Sequence, residues 1–133
     1  MLQELLYVVD THVLIWYFTG STRLLPALKE RIERARSQGG RLLVPTIVLA
    51  EALDIAEKGR VRFDFAQQMY RLIQDEAEFE IVDFGQEIFD ETVRVKSIED
   101  IHDRVIVATA RYYGAGVLTK DHVIRGSGEV ETL

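Results

Sequence analysis

Short apolar runs alternate with longer amphipathic segments along the whole chain, and this alternation restricts the fold more than any other feature. Leu5–Val9, Arg41–Val44, Phe79–Val82 and Val117–Thr119 are too short for helices and rich in Val, Leu and Ile, so they read as buried strands. Val130–Leu133 offers a short last strand after the Gly126-Ser127-Gly128 turn. Between the strands, Pro26–Ser37, Thr46–Lys58, Phe63–Glu76, Gln86–Lys96 and Ile101–Tyr113 predict helices. Thr11–Phe18 reads as a loop passing into a short helix. The punctuation agrees: Pro26 stands in a first turn, Thr46 is placed as an N-cap, and glycines 39, 40, 59, 114 and 116 follow helix ends. Strand–helix alternation favours parallel strands with helices on both faces. The expectation is one α/β domain over residues 1–133: three layers, α/β/α, around a short central parallel sheet of four to five strands.

A chain of 133 residues can bury a core without staples, and with no cysteine it has neither disulfide nor thiolate metal site. That usage fits a cytoplasmic protein. The first apolar run has no basic stretch before it, so no secretory leader is expected. No run approaches the ~18 apolar residues of a membrane span. The net charge of −6 argues at first against a polyanionic partner. The distribution tempers this: residues 23–41 carry a local +4 and residues 64–100 a local −8. Two bound divalent ions would bring the total to −2.

Four carboxylates occupy positions that such a fold could gather. Asp10 and Asp121 each follow a predicted strand directly, and in open α/β sheets sites form beyond the carboxyl ends of strands. Glu51 shares a helix face with Ile47, Val48 and Ile55. Asp103 shares one with Ile106, Val107 and Ala110. Acids are rarely buried unless paired or bound to metal. Four in one cleft would repel, and some would take up protons unless a cation neutralised them. Oxygen donors alone select hard ions such as Mg²⁺ or Mn²⁺, one or two per site. The chemistry this predicts is metal-assisted phosphodiester hydrolysis. Each acid also has an ordinary reading. Asp10 and Asp121 suit turns or caps, Asp100 to Asp103 suit a variant capping box, and Glu51 suits an ion pair with Lys58. The joint placement favours a site.

These residues resemble the PIN-domain family, especially its VapC-type toxins. The resemblance is carried by Val9-Asp10-Thr11-His12-Val13-Leu14-Ile15-Trp16, Pro45-Thr46-Ile47-Val48-Leu49-Ala50-Glu51, His102-Asp103-Arg104-Val105-Ile106-Val107-Ala108-Thr109-Ala110 and Leu118-Thr119-Lys120-Asp121, in that order. It implies a PIN-like fold and a metal-dependent endonuclease of single-stranded RNA. Asp10, Glu51, Asp103 and Asp121 would be catalytic and metal-binding, and Thr11 and Thr119 would orient them. It also implies a homodimer and a cognate antitoxin docked at the active-site groove. One departure stands before the third acid: many similar toxins have Asp-Pro where this chain has Asp100-Ile101-His102. Three other functions compete. They are an RNA-processing nuclease without antitoxin, a non-catalytic RNA- or protein-binding module, and a phosphotransfer enzyme with a nucleophilic Asp10. His12 stands where the last usually has a second Asp.

Other residues carry weaker signals. His12, His102 and His122 each adjoin a proposed ligand and could contact a substrate phosphate or support a ligand, and each suits a loop or helix start equally well. Asp54 suits a pair with Lys58, and Asp100 a helix cap. Trp16, Tyr17 and Phe18 could stack on unpaired bases or fill a core. Arg31, Arg34, Arg36 and Arg41 could guide an RNA backbone or form a solvated helix face.

Overall fold

The computed structural model describes residues 5–59, 63–120 and Arg125. Its four strands are β1 (Leu6–Val9), β2 (Arg41–Pro45), β3 (Phe79–Val82) and β4 (Gly116–Leu118). All pairings are parallel, and the strand order is β3-β2-β1-β4. The helices are α1 (Thr11–Thr19), α2 (Pro26–Ser37), α3 (Thr46–Glu57), α4 (Arg71–Asp75), α5 (Gln86–Arg94) and α6 (Ile101–Tyr113). Parallel strands need crossovers, and helices supply them, which gives the expected three layers.

Strands buried on both faces explain the unbroken apolar runs. Val8, Val9, Leu42, Leu43 and Val44 are wholly buried, as are Val13, Leu14 and Ile15 of α1 and Ile106, Val107 and Ala108 of α6. From β1 the chain adds β2 and then β3 on one side, and β4 returns to the other. The direction of winding therefore changes between β1 and β4, and this is where such sheets open a crevice.

Three local expectations differ from the structure. No loop separates β1 from α1, because Asp10 itself caps the helix: its Oδ1 accepts from the Thr11 amide at 2.7 Å. Thr46 is not the cap of α3 but its first residue; Pro45 holds the cap position with extended backbone. The Thr46 hydroxyl instead accepts from the Phe84 amide at 3.3 Å. The segment read as one helix over Phe63–Glu76 begins with a π-helical turn, Phe65–Tyr70, before α4. Met69 and Ile73 are buried there, whereas Leu72 is exposed. The short last strand expected at Val130–Leu133 lies outside the described residues. Among the described residues, no helix is long and apolar enough to cross a membrane.

Candidate active site

A connected set of acids and hydroxyls stands at the carboxyl ends of β1 and β4. The Asp10 amide donates to the Leu118 carbonyl at 3.0 Å, so Asp10 continues the strand ladder before it caps α1. Its side chain is almost buried at 8% exposure. One carboxylate oxygen takes the Thr11 amide, and the other accepts from the Thr119 hydroxyl at 2.5 Å. Thr119 follows β4 and is fully buried. Thr11, the first residue of α1, turns its hydroxyl the other way and donates to Glu51 Oε1 at 2.9 Å. Two threonines thus hold two acids from three elements in one line: Thr119, Asp10, Thr11, Glu51.

Glu51 is half-buried on α3. Burial pushes its carboxyl above the usual range, and the negative charges of Asp10 and Asp100 push the same way; the Thr11 hydrogen bond and His102 act against them. Asp103 lies partly buried in the first turn of α6, and its amide donates to the capping Asp100 carboxylate at 3.1 Å. Asp121 and His122 lie outside the described residues.

Glu51 opens onto a cavity of about 480 Å³. His12, Trp16, His102, Arg23 and Lys120 share its lining. Burial lowers the pKa of His12; Lys120 lowers it further and Asp10 opposes. His12 and Trp16 are one helical turn apart, with ring centroids 5.7 Å from each other. Lys120 Nζ stands 5.2 Å above the Trp16 ring. Asp54 also borders the cavity, but its carboxylate pairs with Lys58 Nζ at 2.9 Å.

The arginine group predicted to guide a polyanion is elsewhere. Arg41 pairs in register with Leu6, at the sheet edge opposite Asp10, and bonds Glu80. Arg36 is held by Glu76 and Glu78, both at 3.2 Å, by the Tyr17 hydroxyl at 2.8 Å and over the Phe79 ring. Arg31 donates to the Tyr7 hydroxyl at 3.4 Å, and Arg34 lies exposed in the last turn of α2. Tyr17 and Phe18 pack on Phe79, so of the aromatic triplet only Trp16 lines the cavity. Among the described residues, the arginine and lysine that do line it are Arg23 and Lys120. For Lys120 the signal was its place between Thr119 and Asp121. Arg23 stood in the basic stretch without being separated from it.

A divalent ion fits the chemistry of these donors. They offer carboxylate oxygens only, and Glu51 is destabilised as an anion by burial and neighbouring negative charge, which a hard cation relieves. Among the described residues, no three acidic or histidine side chains converge closely enough to enclose an ion by themselves. Asp10 and Glu51 therefore fit as part of a donor set.

The sequence profile described as "PIN domain" matches residues 7–126. No curated protein matches the chain. Several solved structures do. VapBC2 from Rickettsia felis, bound to a fragment of promoter DNA, superposes with a TM-score of 0.71 at 16% identity, covering 96% of this chain and 97% of that one. DNA-bound VapBC from Salmonella typhimurium gives 0.70 at 17% identity, covering 100% and 98%. A toxin–antitoxin complex from Klebsiella pneumoniae gives 0.64 at 20% identity, covering 93% and 94%. At such identities the likeness is one of fold.

Proposed function

The chain belongs to the PIN-domain family, and on that premise we propose that it is a metal-dependent endoribonuclease, the toxin of a type II toxin–antitoxin pair. The observation that carries the reading is the line of contacts Thr119–Asp10–Thr11–Glu51 at the switch point of the sheet. The substrate is single-stranded RNA, cut in the cytoplasm by hydrolysis of a phosphodiester bond. Asp10, Glu51, Asp103 and Asp121 would hold Mg²⁺ or Mn²⁺, which when bound would supply positive charge to the phosphodiester and acidify a water.

The protein's own part is pre-organisation. Thr119 fixes Asp10 in one rotamer, and Thr11 does the same for Glu51, so neither carboxylate must be ordered during the reaction. Lys120 and Arg23 draw the phosphate backbone into a cavity of otherwise acidic character. Burial, with Lys120 nearby, favours the neutral form of His12, although Asp10 opposes it.

Two partners belong to this reading. A cognate antitoxin silences the site; the support is that the Klebsiella pneumoniae structure is a toxin–antitoxin complex and that the fold is shared with the VapBC structures from Rickettsia felis and Salmonella typhimurium. A second copy of the chain forms a homodimer; the support is the exposed apolar group of Phe84, Phe89 and Val93, each about half accessible.

Cleavage of a labelled single-stranded RNA pool by the purified chain tests the proposal, run with Mg²⁺, Mn²⁺ or EDTA beside Asp10→Asn and Asp103→Asn. Metal-dependent cutting lost in both variants is the expected result. A folded wild type that cuts no RNA in the pool and binds neither ion in a calorimetric titration would overturn it.

A further inference from the structure

Beside the acidic cavity lies a second one of about 580 Å³, a size ordinary for ligand sites. It is lined by Trp16, Arg23, Leu25, Leu28, Lys120 and Arg125. Trp16, Arg23 and Lys120 border both cavities. The chemistry changes across that shared wall. Glu51, Asp54 and the histidines line only the first; Leu25, Leu28 and Arg125 line only the second, which thus combines the shared indole and cations with an apolar wall and a third cation.

We infer that the second cavity is a nucleobase subsite, in which one unpaired base of the RNA stacks on Trp16 while Arg23, Lys120 and Arg125 hold the flanking phosphates. This rests on the ribonuclease reading and specifies where on the site the strand is gripped. An aromatic face with apolar neighbours and a rim of cations is what a single strand requires. Leu28 is buried and forms apolar wall, whereas Leu25 is 55% exposed at the rim without a role in the core. Lys120 already stands over the indole, and Arg125 Nε is anchored on the Thr119 carbonyl at 3.3 Å, which ties this wall to the residue that holds Asp10. A base seated here sets the register of the strand, so the bond presented to Asp10 and Glu51 lies a fixed distance from the seated nucleotide, whichever base it carries. Stacking alone is tolerant of sequence, and the apolar wall favours no hydrogen-bonding edge.

Trp16 is the only tryptophan of the chain, so its fluorescence reports on the wall that the two cavities share, and Leu25→Asp, on the second cavity only, tells the two apart. The experiment titrates wild-type protein in EDTA with a mixed-sequence single-stranded RNA oligomer, and separately with a base-free oligomer of the same phosphate backbone. RNA should quench Trp16 and the base-free chain should not. Trp16→Ala should weaken RNA binding about 5- to 100-fold, and Trp16→Phe should restore most of it. Leu25→Asp, at an exposed position, should weaken binding even if Trp16→Ala does not fold. Unchanged fluorescence on saturation with RNA, equal quenching by the base-free chain, or no RNA binding at all would each overturn the subsite. Binding is read without cleavage, so the two readings fail separately. Quenching in a protein that cuts no RNA would sink the nuclease and leave the base subsite standing. Cutting with an unquenched Trp16 would do the reverse.

Discussion

The hydroxyl of Thr119 donates to Oδ2 of Asp10 at 2.5 Å, joining two buried residues 109 positions apart in the chain. A charged acceptor makes this bond stronger than a neutral one. Thr119→Val keeps the shape and removes the donor, leaving a buried carboxylate short of a partner. Stability should fall by about 2 kcal/mol in urea melts, and cleavage by about 10- to 100-fold through misorientation of Asp10. Thr119→Ser should recover both.

Glu51 gives a pH signature. Its folded pKa lies above the usual carboxylate value, so the folded state binds the proton more tightly than the unfolded chain does. Its relative stabilisation is present at low pH and is lost as pH rises from the unfolded pKa through the folded one. Without divalent ions, Glu51→Gln should therefore be more stable than wild type at neutral pH. The difference should shrink to nothing below the ordinary carboxylate range. Melting curves across pH in EDTA provide the check; a Gln variant equally destabilised at all pH values would contradict it.

Asp100 separates a cap from a charge. It caps α6, and its negative charge helps raise the Glu51 pKa. Asp100→Ala should cost about 1 kcal/mol for the lost cap, whereas Asp100→Asn should keep most of it. Both should lower the Glu51 pKa, which NMR titration of the carboxyl carbon would show.

Ion binding should stabilise the fold. Mg²⁺ or Mn²⁺ at about 100 times its dissociation constant should add about 2.7 kcal/mol, seen as a higher melting temperature that EDTA reverses. Asp10→Asn should lose most of this increment. An increment of the same size in Asp10→Asn would place the ion elsewhere.

Arg36 should behave as a structural residue. Its guanidinium joins Glu76, Glu78 and Tyr17 and lies over Phe79. Arg36→Ala should cost about 1–2 kcal/mol and leave cleavage per folded molecule unchanged, as active-site titration against antitoxin would measure. Lys120→Ala, by contrast, should weaken RNA binding and flatten its salt dependence by about one unit of slope.

What could be read from sequence follows from how local the cause is. Pro26–Ser37, Phe79–Val82 and Ile101–Tyr113 match the observed elements residue for residue, because Pro26, Gly114 and unbroken apolar runs fix them locally. Thr46 misled because a hydroxyl before a helix suggests a cap, yet Pro45 already supplies the extended backbone and Phe84 claims the hydroxyl from another element. The π-helical turn at Phe65–Tyr70 left no mark on the apolar spacing. At the site, Asp121 lies outside the described residues, whereas the place of Asp10 at a strand end and of Glu51 on a half-buried helix face was legible. The cations were not: Arg36 and Arg41 are nearer in sequence to Arg23 than Lys120 is, yet only the fold puts Arg23 and Lys120 on one wall.

The parallel pairing of β1 with β4 registers Val8 with Val117. During translation, β1 and α1 emerge before β4 and wait for the 109 positions that separate Asp10 from Thr119 to be made. No nascent fragment that stops short of β4 carries the assembled site. A chain proposed to cut RNA would therefore be unable to do so until β4 has been made and has joined β1.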